Sequence, residues 1–61
     1  MKKLSLGSWI TTNSVSVVET MCKFSFDWLC VDMEHTAIDY DDLLKLILTI
    51  QANDKKAYVR V

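Results

Sequence analysis

The 61-residue sequence has no proline, a single glycine and only two cysteines. Two cysteines are too few for a disulfide-stapled miniprotein, and the spacing of Cys22 and Cys30 matches no zinc or redox motif. We therefore expect both thiols to be reduced and packed, in a cytoplasmic protein. Because the chain also lacks repeats and glycine- or proline-rich segments, nothing divides it into two domains.

The sequence also lacks an excess of charge of either sign and a long apolar run. Seven basic and eight acidic residues give a net charge of −1, which excludes the strongly basic surface of a nucleic-acid-binding protein or a polybasic membrane anchor. The longest apolar stretch, residues 43–50, is interrupted by Lys45 and Thr49 and is far shorter than the roughly 20 residues of a membrane span. Residues 1–7 contain no unbroken apolar segment of the kind found in signal peptides.

Three apolar segments have the length and composition of β-strands: residues 6–11, 28–31 and 57–61. The middle segment is continuously apolar, which is typical of a strand in a parallel sheet that is covered on both faces. Between them, helical periodicity predicts two helices, the first of about ten residues after an N-cap at Asn13 or Ser14. The second follows an N-cap at Asp39 and ends near Asn53.

Each predicted helix has one apolar face. The first presents Val17, Val18, Met21 and Cys22; the second presents Leu43, Leu46, Ile47 and Ile50, with Leu44 and Leu48 widening the stripe.

The order strand, helix, strand, helix, strand predicts an α/β fold with parallel strands and right-handed crossovers. Three strands and two helices leave one sheet face or one edge uncovered. We therefore expect residues 1–61 to be the opening βαβαβ segment of a single (β/α)8 TIM-barrel domain, a fold that needs about 250 residues.

Chemically versatile side chains follow or end the predicted strands. Trp9 lies in the first strand, Asp32, Glu34 and His35 end the second, and Arg60 is near the end of the third. Because the carboxyl ends of parallel strands share one edge, we expect these residues to lie together there.

Each of these residues has more than one interpretation. Asp32 and His35 are close enough for a carboxylate–imidazole hydrogen bond that makes His35 a general base, or they are a capping acid and an exposed loop histidine. Arg60 binds a substrate oxygen or forms an internal salt bridge with Asp32 or Glu34. Asp32 and Glu34 are alternatively ligands of a divalent metal, and Trp9 belongs to the site or to the core.

Three segments resemble the opening of the HpcH/HpaI family of class II 2-keto-acid aldolases. They are Leu6-Gly7-Ser8-Trp9, the stretch F-D-W-x-x-x-D-x-E-H over residues 26–35, and Tyr58-Val59-Arg60. The family includes 4-hydroxy-2-oxoheptanedioate aldolase and 2-keto-3-deoxy-sugar-acid aldolases. The resemblance implies a (β/α)8 barrel, usually hexameric, that reversibly cleaves a 4-hydroxy-2-keto acid to pyruvate and an aldehyde.

The resemblance also implies roles for individual residues. His35 resembles the catalytic base, Asp32 its dyad partner, and Arg60 the arginine that binds the keto acid; Trp9 matches an aromatic position near the pocket. The implied cofactor is a divalent metal (Mg2+, Mn2+ or Co2+), whose ligands are expected beyond Val61, so the chain is predicted to be inactive alone. Ser25 replaces a usual glycine and is predicted to strain a left-handed cap, and Thr36 replaces a usual small residue.

Two other functions compete with the aldolase. One is a non-catalytic truncated α/β fragment that acts through self-association or partner binding. The other is a receiver-like doubly wound domain with Asp32 at a strand end, although the further acids and the lysine of a phospho-acceptor site are absent from the sequence.

Overall fold

A computed structural model describes residues 4–61, which form a three-stranded sheet with two helices. In chain order the elements are β1 (Gly7–Ile10), α1 (Val15–Cys22), β2 (Trp28–Asp32), α2 (Tyr40–Ala52) and β3 (Lys56–Arg60). All strands are parallel, in the order β1-β2-β3. The predicted α/β class and element order are therefore confirmed. The prediction about a signal peptide falls in part on residues 1–3, which lie outside the described residues.

Both helices begin at side-chain caps. The Ser14 hydroxyl accepts a hydrogen bond from the Val17 N–H at 3.3 Å, so Ser14 is the N-cap of α1. The Asp39 carboxylate accepts from the Asp42 N–H at 2.8 Å at the start of α2. Each cap satisfies an N–H that has no partner within its own helix. Within residues 4–61, neither helix is long and apolar enough to cross a membrane.

The core lies between the helices and one face of the sheet. Successive strands joined by right-handed crossovers place both helices on the same side. Side chains alternate along β2, and Leu29 and Val31 face the helices with no exposed surface. The buried cluster consists of Ile10, Val18, Cys22, Leu29, Val31, Ile38, Leu46 and Ile50.

The buried face of each helix contains fewer apolar residues than the sequence predicts. Leu44 and Leu48 are 58% and 56% exposed, and Val17 is 46% exposed. Their prediction as part of the apolar faces is wrong for residues 4–61, because α1 and α2 pack on the sheet and on each other along one side only. Val18, Leu46 and Ile50 are the helix positions that reach the core without exposed surface.

Within residues 4–61, the second face of the sheet carries aromatic side chains and no helix. The Trp28 ring lies against Gly7 so closely that a Cβ there would be 1.9 Å from a ring atom, and its ring meets Tyr58 edge-on at 6.0 Å. Trp9 and Tyr58 are about half exposed. The continuous apolar run of β2 therefore has only one of its two faces covered by residues 4–61.

The connection after α1 differs from its prediction. Lys23 caps α1 in the right-handed region, at φ −78°. Among residues 4–61 the positive-φ position is Asp54, at φ 60°, so the predicted left-handed strain at Ser25 is wrong. Asp54 follows the α2 cap Asn53, where a left-handed residue commonly ends a helix and where aspartate is tolerated.

Replacing Leu46 with alanine tests the core. Leu46 is fully buried, so we expect Leu46→Ala to lower the free energy of unfolding by about 2–5 kcal/mol. Leu44→Ala, on the exposed side of the same helix, is the control and should change it by less than about 0.5 kcal/mol. Urea unfolding followed by far-UV circular dichroism measures both, and equal effects would contradict the burial pattern.

Candidate active site

The carboxyl ends of β2 and β3 bring an acid and a guanidinium together. Asp32 is the register partner of Arg60, and the Met33 N–H donates to the Arg60 carbonyl at 2.9 Å, which extends the pairing by one residue. The same register places both side chains on the sheet face without helices, because residues paired in a parallel sheet point to the same side. Asp32 and Arg60 thus lie side by side at the carboxyl edge of the sheet, where the sequence predicts them.

Asp32 and Arg60 form a two-point ion pair. Arg60 Nη2 donates to Asp32 Oδ2 at 2.7 Å, and Nε donates to Oδ1 at 3.3 Å. Asp32 is 4% exposed, and a buried carboxylate needs such a partner. Of the two interpretations of Arg60, the structure contains the internal salt bridge. The Nη1 amino group has no acceptor within residues 4–61, so the guanidinium keeps an edge for an anion.

The ion pair changes the acidity of both groups. Hydrogen bonds from Arg60 lower the pKa of Asp32 from 3.8 to about 2, against burial, which raises it; the backbone N–H groups of His35 and Glu34 add to the lowering. The Asp32 carboxylate in turn raises the pKa of Arg60. At neutral pH both groups are charged.

Asp32 also folds the turn that carries the other site residues. Its Oδ1 accepts from the backbone N–H of Glu34 at 2.9 Å and of His35 at 3.2 Å. The Thr36 hydroxyl donates to the Asp32 carbonyl. The turn is therefore tied to the end of β2 at three points, and Thr36 has a structural role of its own.

The His35 side chain contacts Glu34, its neighbour in sequence. His35 Nε2 lies 3.2 Å from Glu34 Oε1, and Arg60 Nε lies 3.6 Å from the same oxygen. The expected hydrogen bond between Asp32 and the His35 imidazole is not formed in the structure; Asp32 accepts instead from Arg60 and from the backbone N–H groups of Glu34 and His35. Sequence reasoning missed the Glu34–His35 contact, for which sequence adjacency was the sole signal.

Trp9 lies beside this cluster on the open face of the sheet. The Arg60 Cζ is 4.7 Å from the centre of the Trp9 ring, within the range of a cation–π interaction. The ring is 47% exposed. It also lines a shallow cavity of about 360 Å³ together with Ser5, Trp28, Cys30 and Tyr58. Trp9 is therefore next to the candidate site and outside the packed core.

The structure offers neither a metal-ligand cluster nor an activated thiol within residues 4–61. No three His, Cys, Asp or Glu side chains in that range are arranged to hold a metal ion, and the oxygens of Asp32 already accept from nitrogen donors. Cys22 and Cys30 are free and buried. Burial raises the pKa of both thiols, although Lys55 and Arg60 oppose the effect, so neither is a thiolate nucleophile at neutral pH.

The Asp32 ion pair predicts a pH dependence of stability. Because the folded-state pKa is about 2 and lies below the unfolded value, the stabilisation is complete above about pH 4 to 5 and is lost as the pH falls towards 2. We expect Asp32→Asn to lower stability at pH 7 and to flatten this acid limb. Urea midpoints between pH 2 and 7 measure it, with the exposed Asp41→Asn as control; an unchanged acid limb in Asp32→Asn would disprove it.

The chain is similar to enzymes that are several times longer. It is 41% identical over 56 residues to the 2-dehydro-3,6-dideoxy-6-sulfogluconate aldolase of Pseudomonas putida; the match covers 92% of this chain and 22% of that protein. No protein-family model matches the chain.

Two solved structures share the fold. A citrate synthase variant superposes with a TM-score of 0.84 and 26% identity, over 93% of this chain and 26% of that one. An HpcH/HpaI aldolase/citrate lyase family protein from Burkholderia cenocepacia gives 0.75 and 31%, over 90% and 21%. These neighbours are TIM barrels, which confirms the predicted fold class. The chain thus spans about a quarter of the length of its relatives, and it belongs with the HpcH/HpaI aldolase/citrate lyase family.

Proposed function

We propose that this chain is part of an aldolase that reversibly cleaves a 4-hydroxy-2-keto acid to pyruvate and an aldehyde. The observation that carries the proposal is the site itself. An arginine with a free donor edge and a histidine lie together at the carboxyl ends of β2 and β3, in a chain 41% identical to an aldolase. That edge of a parallel α/β sheet is where active sites form.

The reaction needs a proton acceptor and a donor for a developing negative charge. Cleavage removes the proton of the 4-hydroxyl group, and C4 becomes the aldehyde carbonyl as the C3–C4 bond breaks. The electron pair of that bond passes to C3 and is delocalised onto the C2 oxygen as the enolate of pyruvate. Protonation at C3 then gives pyruvate.

The residues of the site match these needs. His35, with 69% of its side chain exposed, takes the proton of the 4-hydroxyl, directly or through one water. Arg60 donates from its free edge to the keto-acid carboxylate and to the enolate oxygen. Asp32 holds Arg60 and the backbone of the His35 turn, and the Trp9 ring forms an apolar wall beside the guanidinium.

We further propose that the whole protein uses a divalent metal, Mg2+, Mn2+ or Co2+, as a Lewis acid towards the keto acid. Residues 4–61 do not provide its ligands. The proposed partners are the keto acid and the aldehyde, in a homo-oligomer that the family resemblance suggests to be a hexamer.

The role of His35 is tested by removing it. We expect His35→Ala to lower kcat by about 100- to 10,000-fold, the usual contribution of a general base. Pyruvate release from a 4-hydroxy-2-keto acid is measured on the purified gene product, with metal added and with EDTA. Lys45→Ala, on the exposed side of α2, is the control. Undiminished pyruvate release by His35→Ala would remove His35 from the mechanism.

The intact mass of the denatured protein decides which material is assayed. If the mass corresponds to a chain of about 250 residues, the length of a complete barrel, the aldolase assay is carried out directly on that protein. A mass of 7.0 kDa predicts no cleavage with any of the three metals, and turnover by that species would contradict the need for ligands outside this chain.

The open sheet face favours a second candidate, a non-catalytic chain that self-associates. Trp9 and Tyr58 are about half exposed there, beside a cavity of about 360 Å³. If this is the function, sedimentation velocity of the 61-residue chain should show dimers or larger species, and Tyr58→Lys should shift them to monomer. A dilute, well-folded wild-type monomer would exclude it.

A further inference from the structure

The side chains of Trp9 and Arg60 meet although their strands are not neighbours. Trp9 lies on β1 and Arg60 on β3, with β2 between them, so the two backbones are separated by two interstrand spacings, roughly 10 Å. The Arg60 Cζ nevertheless lies over the Trp9 ring, 4.7 Å from its centre. The β2 residue in register with Trp9 is Cys30, and its short side chain leaves room for the contact across the strand.

The ring contacts a part of the guanidinium that the ion pair does not hold. Asp32 accepts from Nε and Nη2 of Arg60, which form one edge of the planar group. The Trp9 ring lies at Cζ, the centre of the group. Two contacts at different places on one planar group restrict its orientation more than either contact alone. The donor edge that carries Nη1 is therefore aimed by both residues.

The contact is strong enough to matter for binding. The Arg60 side chain is 40% exposed and Trp9 is 47% exposed, so each partner has lost about half of its contact with water. A cation–π interaction weakens when both groups are fully hydrated and strengthens as they are desolvated. An apolar wall, by contrast, requires only the area of the ring and has no effect on the guanidinium.

We propose that Trp9 is a positioning residue for Arg60. Its ring holds the guanidinium so that the Nη1 edge faces the carboxylate and the keto oxygen of the 2-keto acid. The identity of this ligand rests on the proposed function, whereas the contact between ring and guanidinium does not. A ring that served only as a wall would instead contact the aldehyde half of the substrate.

Pyruvate separates the two roles, because it contains the keto acid without the aldehyde half. Trp9→Leu keeps an apolar side chain but removes the π face, and we expect it to raise the Kd for pyruvate by about 2- to 30-fold, the range of a cation–π interaction. Trp9→Phe keeps a π face and should recover most of that loss. Trp28→Phe is the matched control, because Trp28 is on the same sheet face but contacts Tyr58. Calorimetry on the full-length gene product measures the Kd.

Two further measurements test whether Trp9 acts through Arg60. In urea unfolding, Trp9→Leu and Arg60→Met should be non-additive, because each removes the same contact. Pyruvate should also change the tryptophan emission of the wild type and of Trp28→Phe but not that of Trp9→Phe, since its carboxylate alters the charge beside the Trp9 ring. The emission change needs no destabilising substitution, so it remains decisive if Trp9→Leu does not fold.

The outcomes distinguish this proposal from the proposed function. An unchanged Kd for pyruvate in Trp9→Leu, with a raised KM for the 4-hydroxy-2-keto acid, would overturn the proposal and make Trp9 a wall of the aldehyde pocket. An equal loss of pyruvate binding in Trp9→Phe and Trp9→Leu would also overturn it. If the wild type neither binds pyruvate nor turns over, the proposed function fails. The contact is then judged by urea unfolding alone, where additivity refutes it.

Discussion

The contact between Asp32 and Arg60 organises the functional end of this molecule. It joins β2 to β3 at their last register pair, and the same carboxylate accepts hydrogen bonds from the backbone N–H groups of Glu34 and His35. Removing Arg60 would leave Asp32 charged and poorly solvated, because Asp32 is 4% exposed. The turn carrying His35 and the orientation of Arg60 therefore depend on one buried carboxylate.

The two faces of the sheet have different physical roles. One is covered by α1 and α2 and supplies the buried cluster around Leu29 and Val31. The other carries Trp9, Trp28 and Tyr58. Trp28 contacts Tyr58 and Trp9 contacts Arg60, and Trp9 and Tyr58 retain about half of their exposed surface. Because Gly7 has no side chain, the Trp28 ring can lie close against the backbone of β1. In the TIM-barrel neighbours this segment is about a quarter of the chain. The two candidate functions use the aromatic face differently: in the aldolase Trp9 forms a wall of the site, and in the self-associating chain the face binds another copy.

His35 contacts a different carboxylate from the one that the motif predicts. The motif over residues 26–35 led to the expectation of an Asp32–His35 pair, and the interval of three residues is compatible with it. The structure instead satisfies Asp32 through Arg60, 28 residues away, and leaves the imidazole to Glu34. A carboxylate at a strand end can accept hydrogen bonds from any donor that the fold brings near it. A guanidinium donates two hydrogen bonds in a fixed geometry, and this interaction is stronger than a hydrogen bond from one exposed imidazole.

The sequence predicts the element order, the parallel pairing, an N-cap at Asn13 or Ser14 for α1 and at Asp39 for α2, and the shared sheet edge of Asp32 and Arg60. These follow from local rules: hydrophobic periodicity, side-chain capping and the shared edge of parallel strands. Only the tertiary structure decided that Val17, Leu44 and Leu48 are exposed, that Ser25 has no left-handed strain, and that Glu34 contacts His35. Those outcomes depend on which surfaces are covered and which polar groups lie within contact distance, and both are set by how segments distant in the chain pack together.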